Sequence, residues 1–333
     1  MTQSREVHLK NRPVGVPVPG DFELVTVDLP APAAGQVQVR NLFMSVDPYM
    51  RGRISGMKSY AAPWELGEVM RGGAVGQVIA SNDPALKVGD KVQGDFAFRE
   101  AYNAPAAALM KLPDVNISPS AFLGVAGMPG LTAYVGLLHI AALKEGDVVF
   151  VSAAAGAVGS VVAQIAKLKG HTVIGTAGGP EKIAYLKSIG VDHAIDYKAE
   201  PNLTKAILAA APNGIDVYFD NVGGEHFQAA LAASNQFARF AICGMISQYN
   251  NTDAGYGVKG LSNIVGKSLR IQGFIVSNHW NLQPAFLQDM AGWIASGQIK
   301  YNETIDDGIE NAAGAFLKLF RGENLGKMLV KLS

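Results

Sequence analysis

Residues 148–173 read VVFVSAAAGAVGSVVAQIAKLKGHTV, and few folds accommodate such a run. A β-branched stretch at 148–152 enters a glycine and alanine turn and leaves as a helix. Val161, Ile165 and Leu168 of that helix fall at i, i+4 and i+7, which makes one face apolar. Lys167 and Lys169 stand in its last turn, where cations suit the helix dipole, and Gly170 can cap it. A second strand follows at 171–176. Strand, glycine turn, helix and strand make a nucleotide-binding βαβ unit. A turn with little side chain lets backbone N–H groups approach a pyrophosphate at the positive end of the helix. Set against G-x-G-x-x-G, the turn reads Ala154, Gly156 and Gly159, so the first glycine is missing. A tight βα connection in any α/β protein looks similar.

The surrounding rhythm extends the unit. Strand candidates recur at 148–152, 171–176, 193–196, 215–220, 240–244 and 269–276, with helical patterns at 181–189, 202–211 and 224–233. That alternation predicts an α/β fold, a Rossmann-type doubly wound parallel sheet whose strand C-termini share one edge. The turns at 153–159, 176–182, 220–224 and 244–249 all lie there. The first third instead shows short β runs at 22–29, 36–44, 76–80 and 91–96, separated by Pro, Gly and Asp clusters, as in a compact β-barrel domain. A helix at 311–321 and a strand at 327–332 are expected to return to it. The division is therefore 1–123, 124–300 and 301–333.

Composition narrows the partners. Lys and Arg number 28 against 28 Asp and Glu, so there is no basic footprint for nucleic acid or an anionic membrane. A single cysteine, Cys243, permits no intrachain disulfide, and the N-terminal residues lack a signal-peptide core, which together suggest the cytoplasm. Residues 115–143 carry no Asp, Glu, Lys or Arg, yet Gly124, Gly127, Pro129, Gly130 and Gly136 interrupt them. Such punctuation reads as a buried junction segment, not a membrane span. The six histidines are scattered, with no H-E-x-x-H and no C-x-x-C, so no metal site is expected, and Cys243 reads as a small hydrophobe on an apolar strand.

The second strand tip selects the cofactor. NAD-preferring folds place an acid about 20 residues past the glycine turn. Here Ala177, Gly178, Gly179 and Pro180 stand at the tip, Lys182 follows in the next helix, and Tyr197 ends the third strand. Loss of the carboxylate and gain of a cation favour NADP. Each residue has a plainer reading as well: Lys182 as a solvated lysine, Tyr197 as a strand-end aromatic, and Glu181 as a ribose ligand that would restore NAD. Without zinc to stabilise an alkoxide, the simpler chemistry is hydride addition to a polarised carbon–carbon double bond, with tyrosine hydroxyls as donors to the enolate.

Longer motifs carry a resemblance. VDPYMR at 46–51, GMPGLTAY at 127–134, the turn at 153–159, YFDNVGG at 218–224, ICGMISQY at 242–249 and NLGK at 324–327 resemble the zinc-independent medium-chain dehydrogenase/reductases. Within them the chain is similar, nearly end to end, to the prostaglandin reductase, alkenal double-bond reductase and curcumin reductase group. The resemblance implies a GroES-like β domain beside a Rossmann domain, with NADPH in the cleft, and a homodimer. It implies that Ala154, Ala155, Gly156, Ala157, Val158 and Gly159 cradle the pyrophosphate and that Lys182 and Tyr197 take the 2′-phosphate end. Asn221, Cys243, Gly244, Met245, Ile246, Ser247, Gln248, Phe274, Ile275, Val276 and Asn324 would contact the adenosine, ribose or nicotinamide, and Met128 and Pro129 would line the site. Tyr249 would orient the nicotinamide ribose and help hold the enolate, with Tyr49 a second catalytic candidate. The implied activity is NADPH-dependent reduction of enals or enones. The alternatives are quinone reduction or a non-catalytic NADP-binding scaffold. The glycine-rich loop at 250–258 departs from the proline-rich loop of animal relatives and leaves the particular substrate open, as do Trp64 and Trp280, read as candidate pocket walls.

Overall fold

The computed structural model describes residues 1–253 and 256–333. The chain folds as two compact units, Met1–Leu123 with Glu303–Asn324 and Met328–Ser333, and Gly124–Asn302 with Leu325–Lys327. Ala254 and Gly255, in the glycine-rich loop, lie outside the described residues.

The first unit begins with β1 (Thr2–Leu9) and β2 (Phe22–Leu29), an antiparallel pair. Strands β3 (Gln36–Ser45), β4 (Ala74–Ser81), β5 (Lys91–Gly94), β6 (Ala101–Pro105) and β7 (Met110–Lys111) follow, with the short helix α1 (Met50–Ile54) between β3 and β4. The sequence pattern hides β1 because polar residues occupy its buried positions. Ser4 is fully buried, its hydroxyl donating to the Ala101 carbonyl (2.9 Å) and accepting from the Ala101 N–H (3.0 Å). Alternation in β3 is clearer, and Val37 and Val39 pack against Val78, Val92 and Tyr102.

The second unit opens with α2 (Met128–Tyr134), which continues as a π-helical turn at Val135–Ile140. The apolar stretch is thus broken into short pieces, and no described helix is long and apolar enough to cross a membrane. Then come β8 (Val148–Val151), α3 (Gly159–Leu168), β9 (Thr172–Ala177), α4 (Pro180–Ser188), β10 (His193–Asp196), α5 (Leu203–Ala210), β11 (Ile215–Asp220), α6 (Gly224–Ala233), β12 (Ser234–Ile242), α7 (Ser262–Gly266), β13 (Arg270–Gly273) and α8 (Gln283–Ala295). The six strands are parallel in the order β10-β9-β8-β11-β12-β13. This is the dinucleotide-binding order, and it reverses between β8 and β11, so the crevice opens at their C-terminal ends.

Two details depart from the sequence pattern. Helix α3 is enclosed nearly all round, since Val162, Ala163 and Ala166 are buried beside Val161 and Ile165. Its buried Gln164 exchanges two 2.8 Å hydrogen bonds with the Lys300 backbone. Strand β12 starts at Ser234, six residues before the apolar run, because a polar start and Phe237 at φ +62° disguise it. The chain then returns to the first unit with β14 (Glu303–Asp307), α9 (Ala312–Arg321) and β15 (Lys327–Lys331), and β15 pairs antiparallel with β3.

Candidate active site

The turn after β8 is built for close approach. Ala153 takes a left-handed φ of +47°, and its carbonyl accepts from the Gly156 N–H at 3.0 Å. A Cβ on Gly159 would stand 2.4 Å from that carbonyl, so the helix can leave the turn only at glycine. The missing first glycine has a structural explanation. Ala154 is fully buried, and a Cβ on Gly175 of β9 would lie 2.9 Å from its methyl. The space the fingerprint usually creates on the turn is here created on the neighbouring strand. Ala155 is buried, while Gly156, Ala157 and Val158 form a half-buried tip with little side chain. Gly326 closes over the turn, its N–H donating to the Ala155 carbonyl at 2.8 Å.

At the tips of β9 and β10 a cationic corner forms. Lys182 is half-buried in the first turn of α4, and burial and the nearby Lys198 ammonium both push its pKa down. A Cβ on Gly178 would lie 2.8 Å from Lys198 Cε and 3.2 Å from the Tyr197 ring, so the missing side chain makes room for both. Tyr197 is exposed and packs edge-on against His226, ring centroids 5.2 Å apart. His226 is 6% exposed, and burial pushes its pKa down to about 4. The sequence reading missed Lys198; its signal was position, directly after Tyr197 at a strand tip.

Asp220, at the end of β11, organises the opposite side of the crevice. It is fully buried, and its Oδ1 accepts from Tyr218 Oη (2.7 Å), Ser152 Oγ (3.1 Å), Val222 N–H (2.9 Å) and Gly223 N–H (2.8 Å). Burial nonetheless pushes its pKa up, against the pull of those donors. Its backbone carbonyl accepts from Cys243 and Gly244, at 2.9 and 3.0 Å. Asn221 turns inward, its Nδ2 donating to the Ser152 carbonyl at 2.7 Å, so the side chain ties β8 to β11. Sequence reasoning missed Asp220; a carboxylate ending an apolar strand before Gly223 and Gly224, both at positive φ, was the available signal.

The segment 243–249 fastens onto this hub. Ser247 N–H and Oγ both donate to the Val222 carbonyl, at 3.2 and 2.6 Å. Ile246 and Gln248 belong to a single 3-10 turn, and the Gly223 surface lies against Met245 and Gln248. Tyr249 folds back so that its Oη accepts from the Met245 N–H at 3.3 Å, and a Cβ on Gly244 would stand 3.0 Å from that oxygen. The phenol oxygen is the acceptor in this contact. Cys243 falls one residue past the end of β12, half-buried, with burial and Asp220 pushing its thiol up to about 12.

The remaining sequence candidates are placed as follows. Phe274 is half-buried and edge-on to Phe219 at 6.2 Å, followed by half-buried Ile275 and Val276. Met128 opens α2 half-buried beside buried Pro129, and its carbonyl accepts from Thr132 Oγ1 at 2.8 Å. Asn324 is half-buried, two residues before the Gly326 closure. In the first unit, half-buried Tyr49 precedes α1, and its hydroxyl lies 3.6 Å from where a Cβ on Gly72 would be. Burial first, then Asp47 and Asp95, push its pKa well up. Trp64 is buried and Trp280 is 46% exposed. Among the described residues no three of His, Cys, Asp and Glu gather as a metal site.

A doubly wound sheet, a glycine phosphate turn and a cationic second-strand corner define a dinucleotide-dependent oxidoreductase, and comparison with known proteins gives the family. Residues 5–112 match the family described as N-terminal domain of oxidoreductase, and 157–295 that described as zinc-binding dehydrogenase. The chain is 41% identical to the NADPH-dependent curcumin reductase of Escherichia coli, over 99% of this chain and 97% of that one. It is 40% identical to the NADP(+)-dependent 2-alkenal reductase of Nicotiana tabacum, over 99% and 98%. The crystal structure of CurA in complex with NADPH from Vibrio vulnificus superposes with a TM-score of 0.94 at 43% identity, covering 99% of both chains. The chain belongs to the medium-chain dehydrogenase/reductases, in the group that holds these reductases.

Proposed function

We propose that the chain reduces the α,β carbon–carbon double bond of enals and enones with NADPH. End-to-end likeness to a curcumin reductase and a 2-alkenal reductase carries the reading. The site fits the dinucleotide on its own terms: Gly159 and Gly156 leave a turn that a side chain would fill, and Gly178 opens the cationic corner. Residues 154–159 hold the pyrophosphate, and Lys182 and Tyr197 the 2′-phosphate. Asn221, 243–248, 274–276, Asn324, Met128 and Pro129 flank the rest. When bound, NADPH supplies the hydride.

Addition at the β-carbon leaves negative charge on the former carbonyl oxygen. Tyr249 donates its phenol hydrogen to that enolate, while the Met245 N–H holds the phenol oxygen in place. One such donor is worth roughly 3 kcal/mol. The α-carbon then takes a proton from solvent or a tyrosine. Tyr49, a weak acid in its buried setting, serves as a hydrogen-bond donor to substrate. Replacing Tyr249 by Phe is expected to lower kcat on the order of 100-fold with little change in NADPH affinity. Lys182→Ala is expected to raise KM for NADPH and leave that for NADH. Unchanged kcat in the first variant, or equal effects on both cofactors in the second, overturns the assignment.

The same reading extends to assembly and location. Strand β13 is an edge of the parallel sheet with Arg270, Gln272 and Gly273 exposed, and pairing with the β13 of a second copy gives a homodimer, which sedimentation tests. A reducing cytoplasm suits a chain whose sole cysteine is Cys243.

A further inference from the structure

Tyr197 stands one residue beyond β10, its backbone N–H donating to the Ala177 carbonyl of β9 at 3.2 Å. Its side chain is 41% exposed, and among the described residues its hydroxyl makes no hydrogen bond, which leaves the oxygen to a ligand. An exposed phenol at a strand tip turns between rotamers unless something packs against it, and a ligand that has to fix it loses affinity to the ordering. Two elements do pack against this one. At the end of β9, Gly178 comes so close that a Cβ there would lie 3.2 Å from Tyr197 Cε1. From α6, His226 meets the ring edge-on, with centroids 5.2 Å apart and planes at 74°.

His226 is the less expected neighbour. It lies in the first turn of α6, buried, with its backbone N–H donating to the Gly223 carbonyl at 3.2 Å. Its Nε2 is buried with no hydrogen-bond partner among the described residues. An unmet buried nitrogen is destabilising, and the same helix fills other inward positions with Ala229, Ala230 and Leu231. The imidazole is therefore not kept for a hydrogen bond through Nε2, and its ring contact with Tyr197 is what sets it apart. Edge-to-face packing of this kind fixes the orientation of both rings. Burial also keeps the imidazole neutral at neutral pH, so it adds no charge to a corner that already holds Lys182 and Lys198.

We propose that His226 is a positioning residue that holds the Tyr197 phenol for the 2′-phosphate of NADPH and so raises the preference for NADPH over NADH, a role that rests on the assignment of Tyr197 made above. The whole chain is titrated by calorimetry with adenosine 2′,5′-bisphosphate and with 5′-AMP, which lacks the 2′-phosphate. Values of kcat and KM are measured with NADPH and with NADH. His226→Leu fills the space without a flat edge, His226→Phe restores one, and Tyr197→Phe removes the hydroxyl; His226→Met replaces the leucine variant should that one not fold. His226→Leu is expected to weaken the bisphosphate about 5- to 10-fold and to raise KM for NADPH alike, with kcat, 5′-AMP and NADH within about twofold. His226→Phe should recover most of the loss. In the Tyr197→Phe background His226→Leu should change nothing further, because the hydroxyl it presents is gone. Equal weakening of both nucleotides, no loss in His226→Leu, or an undiminished loss in the Tyr197→Phe background overturns the positioning role. Full affinity of Tyr197→Phe for the bisphosphate overturns the assignment of Tyr197 itself, and the role of His226 falls with it.

Discussion

The exchange of space between Ala154 and Gly175 makes a quantitative prediction. Gly175→Ala places a methyl 2.9 Å from Ala154 Cβ, 3.3 Å from Val191 Cγ1 and 3.4 Å from Leu186 Cδ1. All three neighbours are 5% exposed or less, so none yields into solvent. Overpacking of this kind costs about 1–3 kcal/mol, offset in part by the roughly 0.5–1 kcal/mol that a strand gains when glycine is replaced. Ala154→Gly alone restores the G-x-G-x-x-G pattern but leaves a methyl-sized void, for about 1 kcal/mol. The two changes together relieve the 2.9 Å contact, so the double variant should be more stable than Gly175→Ala alone, with a coupling of about 1 kcal/mol. Urea melts of the four proteins measure it, and NADPH titration should show affinity weakened in Gly175→Ala and recovered in the double variant. Additive stabilities, within about 0.5 kcal/mol, would refute the packing argument.

Other expectations follow from burial. His226 has its pKa lowered to about 4, so between the ordinary value of 6.5 and 4 the unfolded chain takes up a proton that the fold refuses. Stability is therefore present above pH 6.5 and declines by about 3 kcal/mol as pH falls to 4; His226→Phe, which keeps an edge for Tyr197, should flatten that part of the acid profile in chemical melts. Cys243, with its thiol near 12, should react with iodoacetamide at neutral pH roughly 1000-fold more slowly than a free cysteine, as mass spectrometry would follow; rapid labelling contradicts the burial. The buried Arg239 guanidinium pairs with Asp147 and donates to the Ala141 carbonyl at 3.1 Å, so Arg239→Met strands a buried carboxylate and should cost about 3–5 kcal/mol in thermal or urea melts.

Period and punctuation made the parallel sheet legible. Strands at 193–196 and 215–220 and the helix at 224–233 stand where the apolar rhythm put them, because apolar residues such as Ile215, Tyr218, Ala229, Ala230 and Leu231 dominate the core they pack into. Strand β1 was hidden because Ser4 and Glu6 face inward, and α8 because it buries little beyond Phe286 and Met290. Site geometry was legible only in part. The turn at 154–159 announced itself by composition, whereas the compensation for Ala154 depends on Gly175, a residue on another strand. The Asn221 amide binds the Ser152 carbonyl, a pairing that only the β8–β11 adjacency creates and that no local pattern announces.

The central claim is tested most directly by turning over an enone with NADPH deuterated at the transferred position and locating the label. A saturated ketone with deuterium on the β-carbon is the expected product. An allylic alcohol labelled at the carbonyl carbon, or oxidation of NADPH only in the presence of quinones, would contradict it.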